Sequence, residues 1–142
     1  QSLSVAKIPL CPDACLPSRK HPEDAGLDVY AYGNTAVWPF SSKVLRTGIT
    51  IEIPRGYVLQ AWPKGKSEHL VGAGIIDAGY QGEILVKIFN PTWKPVRFGH
   101  GDALAQLVLI PVETPAPMEV GSNDIHKEQS ARGATGGIHG DM

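Results

Sequence analysis

Residues 74–83 read GIIDAGYQGE, and short apolar runs separated by turn residues, as in this stretch, recur along the rest of the chain. A short apolar run ends at Asp77, a glycine-containing turn follows, and a second apolar run extends over residues 84–89. Short apolar runs joined by a tight glycine turn predict paired β-strands. The turn alone explains the aspartate, because Asp and Gly both favour turns. Alternatively, the neighbours of Asp77 hold its carboxylate in place and partly shield it from water, as a general base requires.

Glycine and proline divide the whole chain into short segments. The 16 glycines and 12 prolines separate runs rich in Val, Ile, Leu, Tyr and Trp, at about the 8–12-residue spacing of a β-sandwich or barrel. No window shows sustained helical periodicity, although residues 103–109 would also suit a short helix. The run 103–112 suits a strand that is buried on both faces. We therefore predict a single all-β domain, with strands at residues 3–8, 26–32, 35–40, 44–53, 57–62, 70–76, 84–89 and 103–112.

The C-terminal end of the chain has a different character. Prolines recur after residue 110, residues 121–130 are polar and unpatterned, and residues 132–142 read RGATGGIHGDM. We expect a β domain over residues 1–120 and a flexible arm over residues 121–142. A glycine-rich terminus is disordered by default, or its backbone N–H groups wrap a phosphate with Arg132 as the charged anchor. The tail alone leaves both readings open.

Composition excludes several classes of partner. The chain has 142 residues, 13 of them basic and 14 acidic, so no global field attracts nucleic acid or a membrane surface, and we expect neither as a partner. No apolar run approaches the roughly 20 residues of a membrane span, and no signal-peptide pattern opens the sequence. We expect a cytoplasmic protein, or a nuclear or viral one if the source is a eukaryote or a virus.

The two cysteines, Cys11 and Cys15, lie four residues apart. A zinc site would need two further ligands, and only His21 is near in sequence. We expect two ordinary thiols, which suits a reducing compartment.

Four other stretches carry polar groups that suit an anion site. Asp28 follows a small-residue turn, Gly65-Lys66-Ser67 offers a cation and a hydroxyl in a loop, and Gln106 puts an amide in an apolar strand. Arg132-Gly133 opens the tail. Each has an ordinary explanation on its own: a turn, a solvated loop, a hydrogen-bonded core amide and a loose terminus.

Taken in order, these stretches resemble the five motifs of the trimeric dUTPase family. The motifs match at AGLD (25–28), GKS (65–67), GIIDAGYQGE (74–83), GDALAQL (101–107) and a worn fifth motif from Arg132 to Gly140. The third and fourth are the specific ones. The resemblance implies a jelly-roll-like β fold, a homotrimer whose active sites combine several subunits, and hydrolysis of dUTP to dUMP and pyrophosphate.

The resemblance also implies roles for individual residues. Asp77 would be the general base for the water that attacks the α-phosphate, and Tyr80 would lie against the deoxyribose and exclude a 2′-hydroxyl. Uracil would be read by the backbone of the segment that leads into Asp77, which is Gly74, Ile75 and Ile76. Mg²⁺ would bind mainly to the triphosphate and water, with Asp28 contacting it through water. The remaining substrate contacts would come from Lys66, Ser67, Glu68, Gln106 at the α-phosphate, Arg132 at the γ-phosphate, and Ile138 over the base.

Several positions depart from the family pattern. The interval from Ser67 to Asp77 is shorter than usual, so the segment that recognises uracil is trimmed. Lys66 stands where an arginine is usual, and an alternative alignment uses Pro63-Lys64 and loses the serine. Glu68 adds a negative charge near the phosphates. Ala103 stands where the fourth motif usually has a basic residue. Ile138 stands where the tail usually has an aromatic residue, and it offers no π-face.

Three functions are consistent with these matches and departures. The first is an active dUTP pyrophosphatase. The second is a protein of dUTPase fold that binds a nucleotide or a protein partner with little turnover, since a fold does not guarantee chemistry. The third is a deoxynucleoside triphosphate pyrophosphatase of altered base selectivity.

Overall fold

The structure, a computed structural model, describes residues 2–65, 67, 69–72, 74–128 and 131. These residues form strands and loops without a helix, so no helix among them is long and apolar enough to cross a membrane. This confirms the predicted all-β, single-domain fold. The eleven strands are β1 (Ser4–Lys7), β2 (Gly26–Tyr30), β3 (Thr35–Val37), β4 (Ser42–Arg46), β5 (Ile49–Glu52), β6 (Tyr57–Trp62), β7 (Leu70–Val71), β8 (Gly74–Ile76), β9 (Leu85–Phe89), β10 (Val96–Phe98) and β11 (Ala103–Pro111).

All strand pairs are antiparallel, and they form four sheets. The largest has the order β2-β11-β6-β8, the second has the order β4-β9-β7, and β1-β5 and β10-β3 are two-stranded. The long apolar run forms a strand, as predicted, at the centre of the largest sheet, where β11 pairs with β2 on one side and β6 on the other. It is a strand and not a short helix. From Ala105 onward its odd-numbered residues, such as Leu107, face the core and its even-numbered residues face outward, whereas Leu104, beside a shift in the strand register, is fully buried. The prediction that both faces of this strand are buried is wrong for the single chain, because Gln106, Val108 and Ile110 on one face are only half-buried.

The hydrophobic core fills the space between the sheets. Ile49, Ile51 and Ile53 are all buried, as their alternation indicates. The largest fully buried apolar side chains elsewhere are Val29, Val37, Leu59, Ile84, Val86, Ile88, Leu104 and Leu107. The two cysteines are free thiols near this core, and the Sγ of Cys11 accepts a hydrogen bond from Arg46.

Two predicted strands are each divided in the structure. The prediction of one strand over residues 44–53 was wrong, because the chain turns at Gly48 with φ of +73° and continues from β4 into β5 in a different sheet. A side chain at Gly48 would be strained and would also contact Ala14 at 2.9 Å. The prediction of one strand over residues 70–76 was wrong in the same way. Its first part, β7, pairs with β9, and its second part, β8, pairs with β6.

Candidate active site

The Asp28 carboxylate forms an ion pair with Lys64 across the end of the largest sheet. The Nζ of Lys64 lies 2.6 Å from Oδ1 of Asp28, and 17% of the Asp28 side chain is exposed. The backbone of Asp28 is fixed as well, since its N–H and C=O both bond to Ser18. Strand β2 therefore holds this carboxylate rigidly beside a cation that lies 36 residues further along the chain.

Gln106 lies next to this pair. It sits on β11 directly opposite Asp28 on one side and Trp62 on the other, so the three side chains share a face of the sheet. Its Nε2 donates to the carbonyl of Pro63, 3.0 Å away. The amide is half-buried, not fully buried as the apolar strand suggests.

Gly26 explains why the first motif needs a glycine. A Cβ at this position would lie 2.9 Å from both Cβ and Cδ of Gln106, closer than the ordinary contact distance between carbon atoms. Gly26 of the first motif therefore leaves the space that the Gln106 side chain of the fourth motif occupies. We refer to Asp28, Lys64 and Gln106 as the polar cluster.

The GKS loop is described only in part. Lys66 and Glu68 lie outside the described residues. Ser67 is half-buried, and its N–H donates to the carbonyl of Lys64, which closes a turn. Lys64 rather than Lys66 is therefore the lysine seen beside Asp28. The alternative alignment of the second motif, through Pro63-Lys64, places Lys64 at this position.

The Asp77 turn forms a second group of polar residues. The N–H of Tyr80 donates to the carbonyl of Asp77, 3.0 Å away, and closes a tight turn. The expectation that neighbours shield Asp77 from water is wrong for the single chain, because its side chain is exposed. A shallow cavity of about 180 Å³ adjoins it, lined by Ile75, Ile76, Asp77, Tyr80 and Leu85.

The ring of Tyr80 lies directly over Gly82. A Cβ on Gly82 would be 2.9 Å from Cζ of Tyr80, so the ring in its present position requires glycine there. The Tyr80 hydroxyl donates to the carbonyl of Glu83. The spacing Tyr-x-Gly-Glu therefore fixes the aromatic ring that forms one wall of the cavity.

Glu83 anchors the far side of this turn to the neighbouring strands. Its carboxylate accepts hydrogen bonds from Nε of Arg46 at 3.1 Å and from the N–H of Gly48 at 2.9 Å. Thr50 donates to the carbonyl of Gly82, 2.8 Å away. The hydrogen bond and charge of Glu83 raise the pKa of Arg46 above its usual value, so the guanidinium stays charged. The sequence analysis did not identify Glu83 as an anchor of this turn, because its partners Arg46 and Gly48 lie more than 30 residues away in the sequence.

Asp77 and the polar cluster lie apart in a single chain. Register places Ile76 opposite Leu59 on β6, whereas Gln106 is opposite Trp62, three residues further along that strand. Strands rise about 3.3 Å per residue and lie about 4.8 Å apart, so Asp77 is roughly 15–20 Å from Asp28. One small substrate phosphate cannot contact both groups within one chain.

The described residues show no ready-made metal centre. Among them, no group of three or more His, Cys, Asp or Glu side chains is placed to hold an ion. The lone Asp28 suits Mg²⁺ only in the way this ion binds to nucleotide sites, through one or two carboxylates plus substrate phosphates and water. The predicted tail contacts, Arg132 and Ile138, lie outside the described residues.

Comparisons with known proteins give consistent results. The family model for dUTPase matches residues 13–136. The deoxyuridine 5′-triphosphate nucleotidohydrolase of Mycolicibacterium gilvum (strain PYR-GCK) is 39% identical over 130 residues, which cover 87% of this chain and 84% of that protein. The protein of the same name from Thermobifida fusca (strain YX) is 40% identical over 134 residues, covering 89% and 73%.

Two solved structures of phage dUTPases share the fold. The Staphylococcus bacteriophage 80alpha dUTPase with dUPNHPP superposes with a TM-score of 0.84 at 26% identity and covers 95% of each chain. A mutant of the dUTPase from phage phi11 of S. aureus, which coordinates a structural Mg(II) ion, gives a TM-score of 0.78 at 27% identity. The match covers 84% of this chain and 97% of the phage chain.

Proposed function

This chain belongs to the dUTPase family, and we propose that it hydrolyses dUTP to dUMP and pyrophosphate. The observation that carries this proposal is the Asp77 turn, in which an exposed carboxylate and a fixed tyrosine ring border one small cavity. General-base catalysis of the attack of water on a phosphate needs a basic group, such as a carboxylate, within hydrogen-bonding reach of that water. It also needs a nucleoside held in one orientation, which a fixed aromatic wall provides.

Asp77 would act as the general base, accepting the proton of the water that attacks the α-phosphorus. Tyr80 would lie against the deoxyribose, where the ring leaves no space for a 2′-hydroxyl. The bonds that hold Tyr80 between Asp77 and Glu83 support this role, because a ring that cannot rotate away discriminates better than a mobile one.

Uracil would be read by the backbone of Gly74, Ile75 and Ile76. Among the residues that the structure describes, strand β8 pairs only with β6 and forms the edge of its sheet. An edge strand has one row of backbone N–H and C=O groups that pair with no neighbouring strand. Such a row offers the alternating donors and acceptors that match the edge of a uracil ring. The shortened segment before Asp77 therefore still contains an edge strand whose backbone would hydrogen-bond to uracil.

Lys64 and Gln106 would hold the phosphates, with Gln106 at the α-phosphate. Asp28 fixes the direction of the Lys64 ammonium group, which suits a point charge directed at an anion. The resemblance also implies substrate contacts by Lys66, Ser67, Glu68, Arg132 and Ile138, and we add Lys64 to this set. When Mg²⁺ is bound, it neutralises charge on the triphosphate, and Asp28 would hold it through water.

A homotrimer would unite the two groups of residues. The separation of Asp77 from the polar cluster supports a site in which one copy supplies Asp77 and Tyr80 and another supplies Asp28, Lys64 and Gln106. The single chain also leaves apolar side chains exposed on the outer faces of both larger sheets, which a partner copy would cover. They are Trp62 and Ile75 on one sheet and Val44, Leu70, Leu85 and Phe89 on the other.

Pyrophosphate release from dUTP, dTTP, dCTP and UTP in the presence of Mg²⁺ tests the proposal. We expect turnover of dUTP alone. Turnover of several deoxynucleotides but not UTP would keep Asp77 and Tyr80 in their roles and show that the trimmed segment no longer selects uracil. Binding of dUTP without turnover of any nucleotide would contradict the proposal in favour of a binding regulator of dUTPase fold.

A further inference from the structure

Three aromatic side chains form an exposed patch on the loops at one end of the β4-β9-β7 sheet. Trp38 and Phe40 precede β4, and Trp93 follows β9. They are 60%, 51% and 85% exposed, and the rings of Phe40 and Trp93 meet edge to face with centroids 4.8 Å apart. This patch lies at the opposite end of β9 from the Asp77 turn, so the proposed catalytic site does not account for it.

Phe40 is held in a backbone conformation that its side chain disfavours. Its φ is +54°, in the left-handed region where glycine is the favoured residue. A bulky residue that is both strained and half exposed gains little from folding. Such strain persists where the residue serves another purpose, and here it directs the Phe40 ring against Trp93.

The two segments that carry these rings contain basic residues and no acidic ones. Neither residues 33–48 nor residues 84–101 contain an acidic residue, although the whole chain has a net charge of only −1. Lys43, Lys94 and Arg97 are exposed here, and Arg97 shares the outer face of its sheet with Ala36, two residues before Trp38. The two carboxylates that flank residues 84–101 in the sequence form other contacts. Glu83 pairs with Arg46, and Asp102 accepts a bond from Gly99 at the far end of β10.

We propose that this aromatic and basic patch binds single-stranded nucleic acid. Exposed ring faces stack on unpaired bases, and nearby cations contact the phosphate backbone, which is how sequence-tolerant single-strand binding surfaces are built. The near-zero net charge of the whole chain predicted no nucleic-acid partner. The two segments that carry the patch are nevertheless basic, because they contain no acidic residue. A contact between two copies of the patch is disfavoured, because it would bring like charges together.

Fluorescence anisotropy of a labelled oligothymidylate of about 20 nucleotides tests this inference. We expect binding by the wild-type protein at low salt, with a log–log salt slope near −2 if about three cations release counterions. The variant Trp93→Ala should bind roughly 5- to 100-fold more weakly. The double variant Lys94→Glu/Arg97→Glu should also bind weakly and show a shallower slope.

Two matched variants separate this role from folding. Phe40→Gly removes a ring while relieving the positive φ, so we expect weaker binding together with an unchanged or raised melting temperature. Arg55→Glu reverses an exposed charge outside the patch and should bind like the wild type. Turnover of dUTP should be unchanged in all of these variants, so this inference and the proposed function fail independently.

Several results would overturn the inference. They are no binding by the wild type at low salt, undiminished binding by Trp93→Ala, equal binding of duplex DNA, and equal binding of polyglutamate or anionic vesicles. A change of oligomeric state in Trp93→Ala would instead assign the patch to a contact between copies of this chain, and it would also contradict the proposal.

Discussion

At the scale of single residues, two lysines compete for one role. Lys64 is the lysine beside Asp28, whereas Lys66 gives the better match to the second motif with its serine. If Lys64 holds a substrate phosphate, Lys64→Ala should lower kcat/KM for dUTP by roughly 10- to 100-fold, the value of one charge-assisted contact.

The matched control is Lys66→Ala, which should lower kcat/KM less. Lys64→Arg should retain much of the activity, because a cation still faces Asp28. A larger loss in Lys66→Ala than in Lys64→Ala would restore the first alignment of the motif. Circular dichroism melts of each variant show whether the unpaired Asp28 carboxylate alone reduces stability.

Asp77→Asn tests the proposed general base. Asparagine has nearly the same shape but cannot accept a proton, so kcat should fall by roughly 10²- to 10⁴-fold while dUTP binding changes little. Single-turnover kinetics and isothermal titration calorimetry measure the two quantities. Activity near the wild-type level in this variant would remove Asp77 from that role.

Sequence reasoning is effective at residue scale where chemistry is local. It singled out Asp77, Tyr80 and Gly82 as one unit, and the structure explains their spacing, since the tyrosine ring requires the glycine beneath it. It could not decide between Lys64 and Lys66, because that choice depends on Asp28, a partner brought near only by the folding of two sheet strands. It also predicted a shielded Asp77, because the apolar residues before it suggested burial.

At the scale of elements, Glu83 connects the Asp77 turn to β4 and β5. Glu83→Ala should lower the free energy of unfolding by about 2 kcal/mol, because the N–H of Gly48 and the Arg46 guanidinium lose their acceptor. Glu83→Gln retains an acceptor for Gly48 and should cost about 1 kcal/mol less than the alanine variant, since the Arg46 side chain is half exposed and the charge interaction is screened.

Urea unfolding of both variants measures these differences. The turnover number should fall together with stability in Glu83→Ala, because the Tyr80 ring depends on the Glu83 backbone for its position. A Glu83→Ala variant as stable as the wild type would show that the turn is held by backbone bonds alone.

The strands themselves were largely predictable, because short apolar runs and turn residues carry their own signal. The exceptions are instructive. Alternating apolar residues continue through Gly48, so the chain reads as one strand although it passes between two sheets. The same occurs between β7 and β8. Strand β10 was not predicted at all, because Val96–Phe98 is short and follows two prolines closely.

At the scale of the whole molecule, the proposed active site depends on more than one copy of the chain. Asp77 and the polar cluster are too far apart to act together within one copy, and apolar faces remain exposed. We therefore expect light scattering to give a mass three times the 15.2 kDa of the single chain. A monomeric enzyme with full activity would contradict a shared site. The sequence implied this assembly only through resemblance, since contacts between copies leave no periodic pattern.

The most direct test of a shared site is to mix two inactive variants. One is Asp77→Asn, and the other is Lys64→Ala/Gln106→Ala, each of which removes only one half of the proposed site. After denaturation and refolding together at equal concentrations, random trimers should recover about one quarter of the wild-type dUTP turnover, because each site draws its two halves from different copies. Pyrophosphate release that stays at the level of the separate variants would contradict a shared site, since it would place both halves in one chain.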